Sequence, residues 1–128
     1  MMRFLLQQRE KDMRILIAAA AVAMLAGCMP PTMNEARQDG PYKVLHSKRS
    51  DKDVAECVQY EWQNQAIFGG TPGATLQAGR PSGYTVFTEA SAYFVDVQPE
   101  GAGSVSKYYV VLPNWIANKR LAVLQGCL

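Results

Sequence analysis

The residues of this chain with the greatest capacity for specific chemistry are three cysteines and a single histidine. Cys28 follows Leu25-Ala26-Gly27, whereas Cys57 and Cys127 lie far apart in the remaining sequence. Neither Cys57 nor Cys127 has a CxxC neighbour or a nearby histidine, which disfavours a zinc site or a dithiol redox motif. With so few ligating residues, we expect no metal and no cofactor.

The placement of the acid and base residues disfavours an enzyme. His46 lies in a proline-rich segment, where no rigid scaffold would hold a proton shuttle at hydrogen-bond distance. Glu56 and Glu61 fall on different faces of a helix, and Asp96 has no evident second carboxylate. The serines lack a Gly-x-Ser-x-Gly elbow. We therefore expect a protein that binds rather than catalyses.

A pattern typical of an export signal precedes Cys28. Arg14 is followed by the apolar run from Ile15 to Leu25 and then by small residues. The apolar run is shorter than the roughly 20 residues that a membrane-spanning helix needs, which favours a segment that is removed. We therefore predict a signal peptide over residues 1–27.

The sequence Leu25-Ala26-Gly27-Cys28 resembles the lipobox of bacterial lipoproteins. In that family the cysteine sulfur is lipidated, the chain is cut just before the cysteine, and the new amino terminus is acylated, for example with palmitate. The resemblance implies that Cys28 is the lipidation site and that it anchors the protein to a membrane. An ordinary secretion signal, or a buried apolar helix with a chance cysteine, is the alternative.

Neighbouring residues bear on the translation start and on the location. Glu10 and Asp12 place negative charge where a signal carries positive charge, so Met13 is the expected initiator. In lipoproteins of two-membraned bacteria, an aspartate straight after the cysteine favours retention in the inner membrane. The residue here is Met29. The resemblance therefore implies an anchor in the outer membrane, on its periplasmic face.

Lipidation of Cys28 would leave Cys57 and Cys127 as an even pair in an oxidising compartment. We expect these two residues to form a structural disulfide. The bridge would close a loop of about 70 residues, for which chain entropy gives about 4 kcal/mol of stabilisation. A reactive thiol or a metal site is the alternative.

The segment after the lipidation site is predicted to be a flexible tether. Between positions 30 and 41 it carries three prolines and a glycine among polar residues, which resists helix and interior strand. We therefore assign residues 28–50 to the lipidated N-terminus and tether, and residues 51–128 to a periplasmic domain. Residues 42–45 could alternatively form a short edge strand on that domain.

Two helices and four strands are predicted within the domain. Ser50 can cap a helix over residues 51–66, and Asn114 can cap a short C-terminal helix over residues 115–124. Between them, runs rich in β-branched and aromatic residues alternate with turn sequences. The strands are expected at residues 74–78, 84–88, 92–98 and 104–112. Short connections make neighbouring strands antiparallel, so the fold class is α+β with a four-stranded antiparallel meander and one disulfide.

The two faces of the predicted sheet differ in composition. One face is apolar or aromatic throughout and is assigned to the core: Tyr84, Val86, Tyr93, Val95, Val97, Tyr108, Val110 and Leu112. The opposite face mixes rings and charges, as a partner-binding surface does. Its predicted contact residues are Phe87, Phe94, Asp96, Lys107 and Tyr109. Alternatively, the C-terminal helix or residues 42–45 cover these rings.

Several short sequences in the domain have a recognisable pattern: residues 53–62, Gly83-Tyr84-Thr85-Val86, Asp96-Val97, Gly103-Ser104 and Tyr108-Tyr109. With these residues the chain resembles small exported bacterial proteins that carry one cysteine in the first helix and one near the end. The resemblance supports the disulfide and implies no particular mechanism.

Length, composition and charge restrict the function further. A chain of 128 residues holds at most one domain, and its 48% hydrophobic content excludes a disordered protein. A formal net charge of +2 does not favour nucleic acid as a partner. We predict a non-catalytic, lipid-anchored accessory or binding protein of the cell envelope with an envelope protein as its partner. A stand-alone inhibitor of a periplasmic hydrolase, or a glycan- or ligand-binding module, is the alternative.

Overall fold

The computed structural model of the protein describes residues 2–27 and 32–128, and for residues 18–27 it describes the backbone. The chain divides into two compact units, Met1–Pro30 and Pro31–Leu128. The predicted lipidation site, Cys28, lies outside the described residues.

The N-terminal unit contains one long helix, α1, over Met2–Gly27. Its side chains up to Ile17 are exposed, and an ion pair of 2.9 Å joins Arg14 to Glu10 one turn earlier. Within residues 2–27 and 32–128, no helix combines the length and the apolar content that crossing a membrane requires.

The second unit alternates helices and strands. Its elements are α2 (Met33–Asp39), β1 (Lys43–Ser47), α3 (Asp51–Asn64), β2 (Ala74–Ala78), β3 (Tyr84–Thr88), a 3-10 turn (Glu89–Ser91), β4 (Tyr93–Glu100), β5 (Gly103–Val110) and α4 (Trp115–Gly126). The strands form one antiparallel sheet in the order β1-β5-β4-β3-β2. The α+β class is thereby confirmed, whereas the predicted four-stranded meander is not exact: the sheet has five strands, of which β2 to β5 are neighbours in chain order.

The expectation of a tether was wrong for residues 33–47, which add a helix and a fifth strand. Thr32 and Glu35 form a reciprocal capping box that starts α2, so the neighbouring prolines flank the helix without interrupting it. The edge strand considered as an alternative for residues 42–45 is present as β1, which pairs with β5. The pairing begins where the Tyr42 N–H donates to the Tyr108 carbonyl over 2.7 Å.

Both predicted caps are confirmed. The Ser50 hydroxyl accepts a hydrogen bond from the Asp53 N–H over 3.1 Å and starts α3. The Asn114 side chain accepts from the Ile116 N–H over 2.9 Å and starts α4. Because each side-chain oxygen satisfies a backbone donor that the first helical turn leaves free, these starts are determined locally.

The core lies between α3, α4 and one face of the sheet. Its buried members include Val54, Val58, Trp62, Val86, Tyr93, Val95, Val97, Tyr108, Ala117 and Leu124. The predicted core face is confirmed for the central residues of β3, β4 and β5. Tyr84 at the start of β3 and Val110 at the end of β5 are half-buried. Leu112 is exposed because β5 ends two residues earlier.

Three side-chain hydrogen bonds join α3, α4 and the sheet within this core. The Trp62 indole N–H donates to the Arg120 carbonyl over 3.0 Å, and the Arg120 guanidinium donates to the Trp62 carbonyl over 2.9 Å. Burial lowers the pKa of Arg120. The Tyr108 hydroxyl donates to the Ala117 carbonyl over 2.8 Å. These bonds fix the register of α3 against α4 and of α4 against the sheet.

The predicted disulfide is confirmed. Cys57 on α3 is bonded to Cys127 just after α4, with 5.8 Å between the Cα atoms. Cys127 is buried against the same core. The bridge therefore joins the first helix on this face to the end of the chain.

Candidate functional site

The residues predicted to contact a partner do share one sheet face. The register places Phe94 opposite both Phe87 and Tyr109, and it places Asp96 opposite Lys107. Directly opposed residues of antiparallel strands project to the same side, so these five side chains lie together on the face away from α3 and α4.

Two of these rings are covered. The exposed fraction is 0% for Phe94 and 5% for Tyr109, whose rings stack at 4.7 Å. The sequence left two possibilities for this face, an exposed binding surface or a face covered by another element. For Phe94 and Tyr109 the structure shows a covered face. The covering element is neither α4 nor residues 42–45, however. It is α2, whose Arg37 guanidinium lies 5.2 Å from the centre of the Phe94 ring.

Arg37 binds α2 to the sheet through Asp96. Its Nε donates to Asp96 Oδ2 over 2.7 Å and its Nη2 donates to Oδ1 over 2.8 Å, a bidentate pair. Thr85 on β3 adds a third bond, from its hydroxyl to Oδ1 over 2.6 Å. The Asn34 side chain accepts from Arg37 Nη1 over 3.0 Å. The hydrogen bond to Asp96 raises the pKa of Arg37, against the opposing effect of burial.

Of the two residues in this ion pair, the sequence indicated Asp96 but not Arg37. Asp96 was singled out as a charge on an aromatic face, and such a charge requires a partner when it is 15% exposed. Arg37 was missed because it lies 59 residues away in a segment predicted to be a tether. The capping pattern of Thr32 and Glu35 was the signal that could have identified α2.

A polar cavity of about 430 Å³ lies beside this network, between α2 and the β2–β3 hairpin. Arg37, Asp96 and Thr85 lie at one side of it. The remaining lining residues are mostly hydrogen-bonding groups from the neighbouring strands and turn: Asn34, Gln77, Ala78, Gly79, Arg80, Ser82, Tyr84 and Gln98. We refer to this space as the α2 cavity.

The turn at the edge of the α2 cavity is tightly built. The Gly79 N–H donates to the Gly83 carbonyl over 2.8 Å and closes the hairpin. Gly83 has a positive φ of 78°, and a Cβ there would clash with the Val97 carbonyl oxygen. The turn is therefore held close against β4, and this contact determines where Arg80 and Ser82 lie.

A second surface feature is aromatic and was not predicted. Phe68, 83% exposed, stacks edge-on against the partly exposed Trp115 with 5.2 Å between ring centres. The Lys119 ammonium lies 5.1 Å from the centre of the Trp115 ring. Phe68 has a φ of 53°, a conformation that non-glycine residues rarely adopt. We call Phe68, Trp115 and Lys119 the aromatic patch.

The acidic residues and the histidine form no larger cluster in the part of the chain that the structure describes. His46 was expected in a tether but lies on β1. Its Nδ1 is 2.7 Å from Glu100 Oε1 on the exposed surface. Among the described residues, no group of three or more histidine, cysteine or carboxylate side chains is close enough to hold a metal ion.

Comparison of the chain with protein-family models, with curated proteins and with solved structures found no match. The α2 cavity and the aromatic patch are therefore interpreted from their own chemistry.

Proposed function

We propose that this protein is a lipid-anchored protein of the bacterial envelope, on the periplasmic face of the outer membrane, that binds a small polar ligand in the α2 cavity. The observation that carries the proposal is the fixed polar network of Arg37, Asp96 and Thr85 at the side of a cavity of about 430 Å³. Ligand sites commonly have this size and a few convergent polar groups.

The hydrogen bonds of Asp96 favour binding over catalysis at the α2 cavity. Asp96 accepts three hydrogen bonds, two from Arg37 and one from Thr85. A carboxylate engaged in this way is a poor general base, because its hydrogen-bonding positions are already occupied. Asp96 is the sole carboxylate in the lining of the α2 cavity, so a two-carboxylate reaction has no second group there.

The anchor proposed at Cys28 would hold the α2 cavity near the bilayer. Thr32 already belongs to the folded unit as the cap of α2, which leaves three residues between it and Cys28. Such a link extends at most about 15 Å. A protein held this close would meet ligands at the membrane surface rather than across the periplasm.

A direct test of ligand binding is a titration of the isotope-labelled full chain in detergent micelles with soluble fragments of envelope glycan. We expect shifts in the side-chain amide signals of Asn34, Gln77 and Gln98, which line the α2 cavity. Signals of Asn64, which lies on α3 away from the cavity, serve as the control. Absence of selective shifts at the three lining amides would contradict the proposal.

The aromatic patch supports a second candidate function, that of an accessory subunit. Large exposed rings bury much area at small entropic cost, and they dominate protein interfaces. Co-purification after mild detergent extraction tests this candidate. A stoichiometric membrane partner that is lost on Phe68→Ser substitution would support it, and a free monomer would contradict it.

The anchor itself is tested by intact-mass analysis and fractionation. We expect the membrane-extracted chain to begin at Cys28 and to carry acyl mass, and we expect Cys28→Ser to leave the membrane fraction. An unacylated chain that retains residues 1–27 would contradict the lipoprotein proposal.

A further inference from the structure

We infer that the α2 cavity recognises a small saccharide that carries a carboxylate, and that Arg80 binds this carboxylate. The inference rests on the ligand-binding function proposed above and specifies the chemical class of the ligand.

The first step concerns charge. Three charged side chains line the α2 cavity: Arg37, Arg80 and Asp96. Arg37 and Asp96 neutralise each other through their bidentate pair. Arg80 has no hydrogen-bond or ion-pair acceptor within residues 32–128 of its own unit. The lining therefore presents one uncompensated positive charge, which favours an anionic ligand and disfavours a cationic one.

The second step concerns position. Arg80 is in the closed turn between β2 and β3, where a Cβ on Gly79 would lie 2.6 Å from the Ser82 carbonyl oxygen. This packing leaves the turn backbone little freedom. Arg80 thus extends from a fixed base, and a planar guanidinium can accept a carboxylate in two parallel hydrogen bonds.

The third step concerns the neutral groups. The amides of Asn34, Gln77 and Gln98 and the hydroxyl of Ser82 line the same space. An amide side chain both donates and accepts, so these groups match a ligand with several hydroxyls. An apolar ligand would leave them buried without partners, which is unfavourable.

The size of the charge effect follows from the exposure of Arg80. This residue is exposed, and ion pairs of exposed groups contribute up to about 1 kcal/mol, or about a fivefold change in affinity. Most of the affinity must therefore come from the neutral lining. The carboxylate is expected to decide between related sugars.

The test compares glucuronate with glucose, which differ only at C6, where a carboxylate replaces a hydroxymethyl group. It includes acetate as the charge without the sugar. Each is titrated into the isotope-labelled full chain in micelles, with the side-chain amides of the α2 cavity as the readout. We expect glucuronate to bind about fivefold more tightly than glucose, and we expect acetate to leave the amides unshifted.

Two variants assign the charge effect to one residue. Arg80→Gln should abolish the preference, so that this variant binds glucuronate and glucose with equal affinity. Lys52→Gln is the matched control, since it removes one positive charge from α3 on the other side of the sheet. Retained dispersion of the amide spectrum shows that each variant is folded.

Equal binding of glucuronate and glucose, or an Arg80→Gln variant that still distinguishes them, would overturn the inference and leave the proposed function intact. The inference also fails if glycan fragments shift the amides while both monosaccharides leave them unshifted. If neither the fragments nor the monosaccharides shift the amides of the α2 cavity, the inference and the proposed function both fail.

Discussion

The two faces of the sheet are covered in different ways. On one face, α3 and α4 bury a continuous set of apolar side chains around Trp62 and Tyr108, and the Cys57–Cys127 bridge links the two covering segments. On the other face, α2 has no buried residue of its own. It contacts the sheet through the salt bridge between Arg37 and Asp96.

This difference separates the face that carries most of the stability from the face on which we propose a ligand site. Apolar burial contributes about 25 cal/mol for each Å² removed from water, so the face under α3 and α4 carries most of the folding free energy. A partly exposed polar contact contributes much less, but it can be rebuilt around a ligand. The face under α2 is therefore suited to binding. Four predictions follow from this comparison.

The largest effect is expected from Trp62→Ala on the core face. The Trp62 side chain is fully buried and donates to the Arg120 carbonyl, so its removal leaves a cavity and also loses this hydrogen bond. We expect a loss of about 3–5 kcal/mol in the free energy of unfolding, measured by urea denaturation. Tyr60→Ala on the exposed side of the same helix is the control and should change stability by less than about 0.5 kcal/mol.

A smaller effect is expected from breaking the contact between α2 and the sheet. A double-mutant cycle of Arg37→Ala and Asp96→Ala should give a coupling energy of about 1–3 kcal/mol, because the pair is bidentate and partly buried. Amide hydrogen exchange in α2 should accelerate in both single variants. The exposed Lys52–Glu56 pair is the control, with an expected coupling of less than about 0.5 kcal/mol. Equal coupling energies for the two pairs would contradict the view that Arg37 and Asp96 hold α2 on the sheet more strongly than an exposed ion pair would.

Alkaline pH should destabilise the core face through Tyr108. Burial raises the pKa of the Tyr108 phenol well above its ordinary value of about 10. Between the unfolded and the folded pKa, the unfolded chain has lost a proton that the folded chain retains. Stability therefore falls as pH rises above about 10, by up to about 1.4 kcal/mol for each pH unit.

The Tyr108→Phe variant isolates this contribution. It loses the hydrogen bond to the Ala117 carbonyl and should be less stable at neutral pH by about 1 kcal/mol. Its stability should then depend less steeply on pH between about 10 and 11 than that of the unchanged protein. Urea denaturation at several pH values measures both effects, and parallel pH profiles would argue against Tyr108 as the source.

The smallest stability effect is expected at the aromatic patch. Phe68→Gly removes an exposed ring and also a left-handed backbone conformation that is unfavourable for phenylalanine. These contributions oppose each other, so the free energy of unfolding should change by less than about 1 kcal/mol. A loss of stability comparable to that of Trp62→Ala would show that the patch belongs to the core.

Much of the core face was predictable because its signals are local. The capping residues Ser50 and Asn114 identified two helix starts, and alternation of side chains identified four strands and their buried face. The pairing of Cys57 with Cys127 followed from the count of remaining cysteines. Each of these features depends on residues close together in the sequence or on the number of cysteines.

The face under α2 was predictable only in part. Asp96, Phe94 and Tyr109 were correctly placed on one face, yet the rings are covered and the covering helix was expected to be a tether. Proline content suggested irregular structure, but the capping box starts α2 between the prolines. Nothing local to Arg37 indicates a partner 59 residues away.

Most elements between Ser50 and the C-terminus, and the core face of the sheet, could be derived from local sequence, since the periodicity, turns and caps that specify them act over a few residues. The disulfide could be derived from the number of cysteines. Tertiary packing determines that β1 pairs with β5 at the edge of the sheet, and that Arg37 contacts Asp96 at the side of the α2 cavity. These contacts join distant segments whose local preferences are weak, so their formation depends on the surface that the rest of the fold presents.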